Sequence, residues 1–184
     1  MLMLLPMLAW GQDANLPQSI TNEVSADGKN LVESLFCKID PSGVGVNSGI
    51  TPQVIFKGKD VLAYGLSLRI ANKWVNIEKG APIIVKLSNG EIIEGKSAST
   101  AIHDAYDYRD LGSEYYYKFS TIWYEFSKED IDKMREFGAV KLRASDGVMF
   151  YDYTMGELAN NRMKSGYIFL EDYIKNKPSL YEGF

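Results

Sequence analysis

The chain has very little with which to ligate or attack. One cysteine, Cys37, and one histidine, His103, are its whole supply of thiol and imidazole in 184 residues. A single thiol closes no internal disulfide, and one histidine with one cysteine falls short of the ligand set that zinc takes. Cys37 ends the apolar stretch Leu31-Val32-Glu33-Ser34-Leu35-Phe36-Cys37, where cysteine behaves as a small buried hydrophobe rather than a nucleophile. It also lies too far from the N-terminus to be an acylation site of the lipoprotein type. Basic character is missing as well. Lys and Arg number 20 against 24 Asp and Glu, the net charge is -4, and no basic stripe occurs, so nucleic acid is excluded as an expected partner. No apolar run approaches the roughly 20 residues that cross a bilayer as a helix. No serine stands in a G-x-S-x-G setting, no acidic run has the EF-hand spacing, and there is neither an internal repeat nor a low-complexity linker.

What is present is the composition of an ordinary globular chain: 46% hydrophobic, 24% charged and 12% aromatic residues, enough apolar side chain to build a buried core. The first ten residues, Met1 to Trp10, carry no charge and are followed by Gly11, Gln12 and Asp13. Ala9 and Gly11 supply the small side chains that a signal peptidase needs before a cut at Gln12. Residues 1–11 are therefore expected to be a signal peptide. Its positive n-region is missing, because no Lys or Arg precedes Lys29, so the true start is expected upstream. Residues 12–30 are polar and aperiodic and are expected to form a flexible lead-in with a turn at Asp27-Gly28, ahead of one β-rich domain over 31–184.

Hydrophobic alternation dominates the body. Leu62, Tyr64, Leu66, Leu68 and Ile70 alternate with Ala63, Gly65, Ser67, Arg69 and Ala71, the period of a strand with one buried face. Burial of those five side chains contributes on the order of 10 kcal/mol before chain entropy is subtracted. Ile83 to Leu87 and Ile92-Ile93 flank Asn89-Gly90, a strong hairpin signal. A second hairpin is expected from Val140 to Arg143, turning at Ser145-Asp146-Gly147 and returning through Val148 to Tyr151. Further strands are expected near 31–39, 53–56 and 115–126, with the Gly- and Pro-containing segment 39–51 as a loop. Ser127 is placed to cap a short helix carrying Ile131, Met134 and Phe137 on one stripe, with Gly138 as its stop. Its charged residues, Lys128 to Glu136, form the solvated face. A C-terminal helix beginning near Thr154 or later is expected to end at Lys177 before Pro178, with Leu158, Tyr167, Leu170 and Ile174 inside and a break at Gly166. The fold expected is mainly β (α+β): an antiparallel β-sandwich or rolled sheet, with one short helix near 127–137 and a C-terminal helix.

Two constellations are candidates for function. The cluster from His103 to Asp110 holds the only histidine and three carboxylates, Asp104, Asp107 and Asp110, spaced every third residue. These residue types suit either oxygen ligation of calcium, by Asp104, Asp107 and Asp110, or carboxylate- and imidazole-dependent hydrolysis, by His103, Asp104 and Asp107. The alternative is a long solvated loop between two strands. The second constellation is aromatic: Tyr106, Tyr108, Tyr115, Tyr116, Tyr117, Trp123 and Tyr124 crowd one stretch, and flat rings stack on sugars and on peptides. Alternation puts Tyr115, Tyr117, Phe119 and Trp123 on the core face. Tyr116 and Tyr124, with the loop residues Tyr106 and Tyr108, are left as a surface patch for a ligand.

The segment from Phe126 through Met134, Phe126-Ser127-Lys128-Glu129-Asp130-Ile131-Asp132-Lys133-Met134, followed by Gly138-Ala139-Val140-Lys141-Leu142-Arg143, resembles a helix-then-strand unit in uncharacterised exported proteins of Bacteroidetes-type bacteria. The small residue before Gln12 is similar to that group too. The resemblance covers roughly a third of the chain. It implies a periplasmic or secreted protein and carries over no functional residue. The function expected is a non-catalytic exported binding module of the cell envelope, for a glycan or a protein partner, with a small hydrolase built around residues 103–117 as the alternative. No cofactor is implied.

Overall fold

A computed structural model describes residues 21–24, 28–39, 47–110 and 113–176; the side chains of 21–24, 106–110 and 113–116 are outside that description. The expected signal peptide lies outside it as well. Among the described residues, eleven strands and two helices follow one another: β1 Thr21–Val24, β2 Asn30–Glu33, β3 Cys37–Lys38, β4 Gly49–Lys57, β5 Asp60–Ala71, β6 Pro82–Leu87, β7 Ile92–Ser97, β8 Ile102–Asp110, β9 Ser113–Phe126, α1 Lys128–Phe137, β10 Ala139–Ser145, β11 Phe150–Thr154 and α2 Glu157–Asn176. The fold is the mainly β (α+β) class that the sequence implies, with one antiparallel sheet instead of two facing layers. The strands run β1-β2-β4-β5-β9-β7-β6-β10-β11, with β3 beside β4 and β8 beside β9.

The sheet is rolled and not closed. From β3 to β11 there are seven strand-to-strand steps. At about 4.8 Å each, a flat sheet would hold these strands roughly 34 Å apart. Instead, residues of β3 and β11 line one cleft. The two helices sit inside the roll. α2 packs on β3 and β4, α1 packs on α2 and also touches β6, and the pair thereby bridges opposite limbs of the sheet.

Local chemistry explains the elements. The Ser127 hydroxyl accepts from the Asp130 N–H at 3.1 Å and caps α1, while Gly138, at φ 76°, takes the backbone turn that ends it and still donates to the Met134 carbonyl at 2.9 Å. Gly90, at φ 90°, turns β6 into β7 in the expected hairpin. Among the described residues every buried apolar side chain but Ala71 joins one cluster, including Cys37, whose thiol burial pushes its pKa up to about 12.

Several expectations are corrected. Leu62 is 50% exposed: β5 pairs Ala63 with Ile55 but Val61 with Phe56, so Leu62 is skipped by a bulge and thrown out of the buried row. The faces of β9 are the reverse of those expected. Leu66 and Leu68 stand opposite Tyr124 and Ile122, which follow them into the core, whereas Phe119 and Trp123 lie half-buried on the outer side. Gly49 to Thr51 belong to a strand rather than a loop, and Thr21–Val24, expected in the flexible lead-in, pairs with β2. Residues 102–110 are strand β8, not a solvated loop. α2 is unbroken at Gly166, which is buried where the helix crosses the sheet, and a Cβ there would sit 2.6 Å from Ser34 Oγ and 3.0 Å from Pro52 Cγ. Its inner face takes Ala159 and Met163, while Leu158 is 57% exposed.

Candidate functional site

The roll leaves a seam, and a concavity runs along it. Lys38 of β3 and Ile39 just after it line one wall, and Asp152, Tyr153 and Thr154 of β11 form another. Gly156, Leu158 and Ala159, at the start of α2, supply the third, and the cleft encloses about 720 Å³. That volume falls in the range of ordinary ligand sites.

Backbone geometry decides what the walls offer. In an antiparallel ladder, every second residue turns its N–H and C=O away from its partner strand. The Met155 N–H bonds the Val140 carbonyl at 3.0 Å, and the Asp146 N–H reaches the Met149 carbonyl at 3.3 Å. With the register of β10 against β11, these two bonds assign Tyr151 and Tyr153 to the ladder. They turn the backbones of Phe150, Asp152 and Thr154 to the open side. On β3, the Ile39 N–H bonds the Ser48 carbonyl at 3.0 Å, so the backbone of Lys38 faces away from β4. Two strand edges with no partner among the described residues therefore border one cleft.

The side chains are as defined as the backbone. Arg143 grips Asp152 through two bonds of 2.6 Å from Nε and Nη2. That hydrogen bond, with the guanidinium charge, holds the Asp152 carboxyl below its usual value. A smaller groove of about 240 Å³ runs over the outer face from the same residues, Asp152 to Thr154, across Lys141, Leu142 and Arg143 to Ile84, Lys86 and Ile92.

The expected site residues are placed elsewhere. His103 is exposed on β8, outside both concavities, with its ring 6.1 Å from that of Trp74, and its Nδ1 stands 2.9 Å from Ser120 Oγ. Ser120 is fully buried, accepts from the Val75 N–H at 3.0 Å and donates to the Lys73 carbonyl at 3.1 Å. Its single proton is engaged there, and the His103 ring serves it as a donor. The contact fixes a loop to the sheet and supplies no accessible nucleophile. Asp104 is exposed on β8. Asp107 and Asp110, like Tyr106, Tyr108 and Tyr116, lie where only the backbone is described. That backbone is extended, and a spacing of three does not gather positions on one side of a strand. Among the described residues no group of three or more His, Cys, Asp or Glu is placed to hold a metal. Tyr124, expected on a surface patch, is a core residue at 0% exposure, with its hydroxyl buried and unpaired. Burial and then the neighbouring Tyr153 push that hydroxyl's pKa upward. No described helix is long and apolar enough to cross a membrane.

Sequence reasoning missed the seam entirely. Lys38 and Asp152 to Thr154 carry no motif, and strands distant in sheet order meet only through the curvature of the roll. Comparison with protein-family models, with curated proteins and with solved structures finds no match to this chain.

Proposed function

We propose that this protein is a non-catalytic binding module that takes an extended segment of a protein partner into the seam between β3 and β11. The observation that carries it is a pair of strand edges, unpaired among the described residues, that border one cleft, with Lys38 on one side and Asp152 and Thr154 on the other. Free edges recruit extended chains because main-chain hydrogen bonds are available at no sequence cost. A glycan would call for exposed aromatic faces, and Tyr153, half-buried, is the only aromatic among the described residues that line the cleft. The uncharged opening segment and the small residues Ala9 and Gly11 support an exported location for this module.

Random octapeptides displayed on phage and selected on the full chain supply the probe, and fluorescence anisotropy measures its affinity. Thr154→Pro removes a donor that faces the cleft and leaves the β10 ladder intact. Binding should be lost in this variant while the thermal melt stays close to that of the parent. N-methylation of the peptide along its edge-pairing side should do the same with no change to the protein. Undiminished binding in both cases would refute strand addition.

A further inference from the structure

The two concavities share Asp152, Tyr153 and Thr154, so a chain seated in the seam borders the outer groove. The outer face there is a lattice fixed by strand register. One row runs Ile92, Lys86, Lys141, Thr154 from β7 to β11, and the next runs Glu94, Ile84, Arg143, Asp152. A strand added to β11 extends both rows by one residue each.

The charges of the two rows differ. In the second, Arg143 and Asp152 neutralise one another, with Glu94 at the far end. In the first, Lys86 stands directly opposite Lys141, and like charges at facing positions of a ladder repel. Lys141 is near enough to Asp152 to help lower its pKa, yet among the described residues neither Lys141 nor Lys86 forms an ion pair. Lys38, exposed on the opposite wall of the seam, forms none either. Three ammonium groups that form no ion pair among the described residues thus stand around the seam, Lys38 on its far wall and Lys141 and Lys86 two and three strand steps, about 10 and 14 Å, from where the first row would continue, in a chain whose net charge is -4. Thr154, the residue between, is short and leaves Lys141 reachable from the seam.

Resting on strand addition at the seam, we infer that the partner segment is acidic at the position facing Thr154. Its carboxylate lies between Lys38 on one side and Lys141 and Lys86 on the other. The residue two places along, facing Asp152, is not acidic, because a second carboxylate would stand beside one already present. The partner is thus recognised by a single acid in an extended, otherwise neutral stretch, not by overall negative charge.

The test uses fluorescent heptapeptides titrated into the full chain: Thr-Val-Thr-Glu-Thr-Val-Thr, the same peptide with Gln at its centre, and the same with Lys. The Glu peptide should bind about tenfold tighter than the Gln peptide, a gap that shrinks as salt is raised. Lys86→Glu with Lys141→Glu should erase that preference and favour the Lys peptide. Equal affinities for Glu and Gln peptides, both lost with Thr154→Pro, would overturn the acidic preference and leave strand addition standing. No binding by any peptide would overturn both. Heparin binding that depends on Lys86 and Lys141 but ignores Thr154→Pro would assign the lysines to polyanions and also overturn the inference.

Discussion

Glu171 provides the sharpest test of how the helices are held inside the roll. The residue is 9% exposed, and its carboxylate accepts from Tyr64 Oη at 3.0 Å and Arg135 Nη1 at 2.9 Å and lies 3.1 Å from Lys128 Nζ. One side chain on α2 therefore joins β5 to both ends of α1. Hydrogen bonds to a charged group contribute about 1.5–3 kcal/mol each, but they do not add here. Lys128 is 46% exposed and also holds Asp132, and Arg135 has Asp132 at 3.3 Å, so both cations keep a partner when Glu171 is altered. A Gln at 171 still accepts from the buried Tyr64 hydroxyl and loses only the charge. Glu171→Gln should then cost about 2 kcal/mol and Glu171→Ala about 3 kcal/mol at pH 7.

The cost should depend on pH. Burial alone would raise the Glu171 pKa, but the Lys128 and Tyr64 hydrogen bonds and the Arg135 charge outweigh it and hold the carboxyl below its ordinary value of 4.5. A carboxyl whose folded pKa is depressed stabilises the fold fully above its unfolded value and progressively less as pH falls through the folded one. The gap between the parent and Glu171→Gln should therefore be constant at neutral pH and close below about pH 4.5. Urea unfolding followed by the fluorescence of half-buried Trp123, at pH 7 and at pH 3, measures it. An equal gap at both pH values, or a Gln variant as stable as the parent at pH 7, would refute the charge as the source.

Gly166→Ala should lower the melting temperature even though alanine favours helix by about 1 kcal/mol, because the new methyl meets Ser34 Oγ at 2.6 Å; a rise in melting temperature would mean that α2 slides freely over β4. Tyr124→Phe should be neutral or stabilise by about 1 kcal/mol, since it deletes a buried hydroxyl with no partner; calorimetry showing a loss above 1 kcal/mol would reveal a bond to that hydroxyl. Leu66→Asp should abolish folding, read as loss of the far-UV β spectrum, because an unpaired charge would enter a site with 0% exposure.

The sequence by itself determined the elements whose causes are local. Asn89-Gly90 turns a hairpin because Gly90 takes a positive φ, Ser127 caps α1 with its own hydroxyl, and Leu66, Leu68 and Ile70 recur at every second position because that face of β5 packs into the core, although Ser67 and Ala71 on the other face are buried as well. It also implied the mainly β class with a helix at the C-terminus, since that follows from the order of periodic segments. Which face of β9 turns inward was not local: Tyr124 and Ile122 enter the core because β5 places Leu66 and Leu68 beside them. Leu62 leaves its row because of a bulge set by pairing with β4. Gly166 reads as a helix breaker until the sheet beneath it is seen to need its missing side chain. The seam was the least legible feature, because an open edge belongs to no residue type. It exists only where the curvature of an eleven-stranded sheet brings Lys38 and Thr154, 116 positions apart in the chain, to the same cleft.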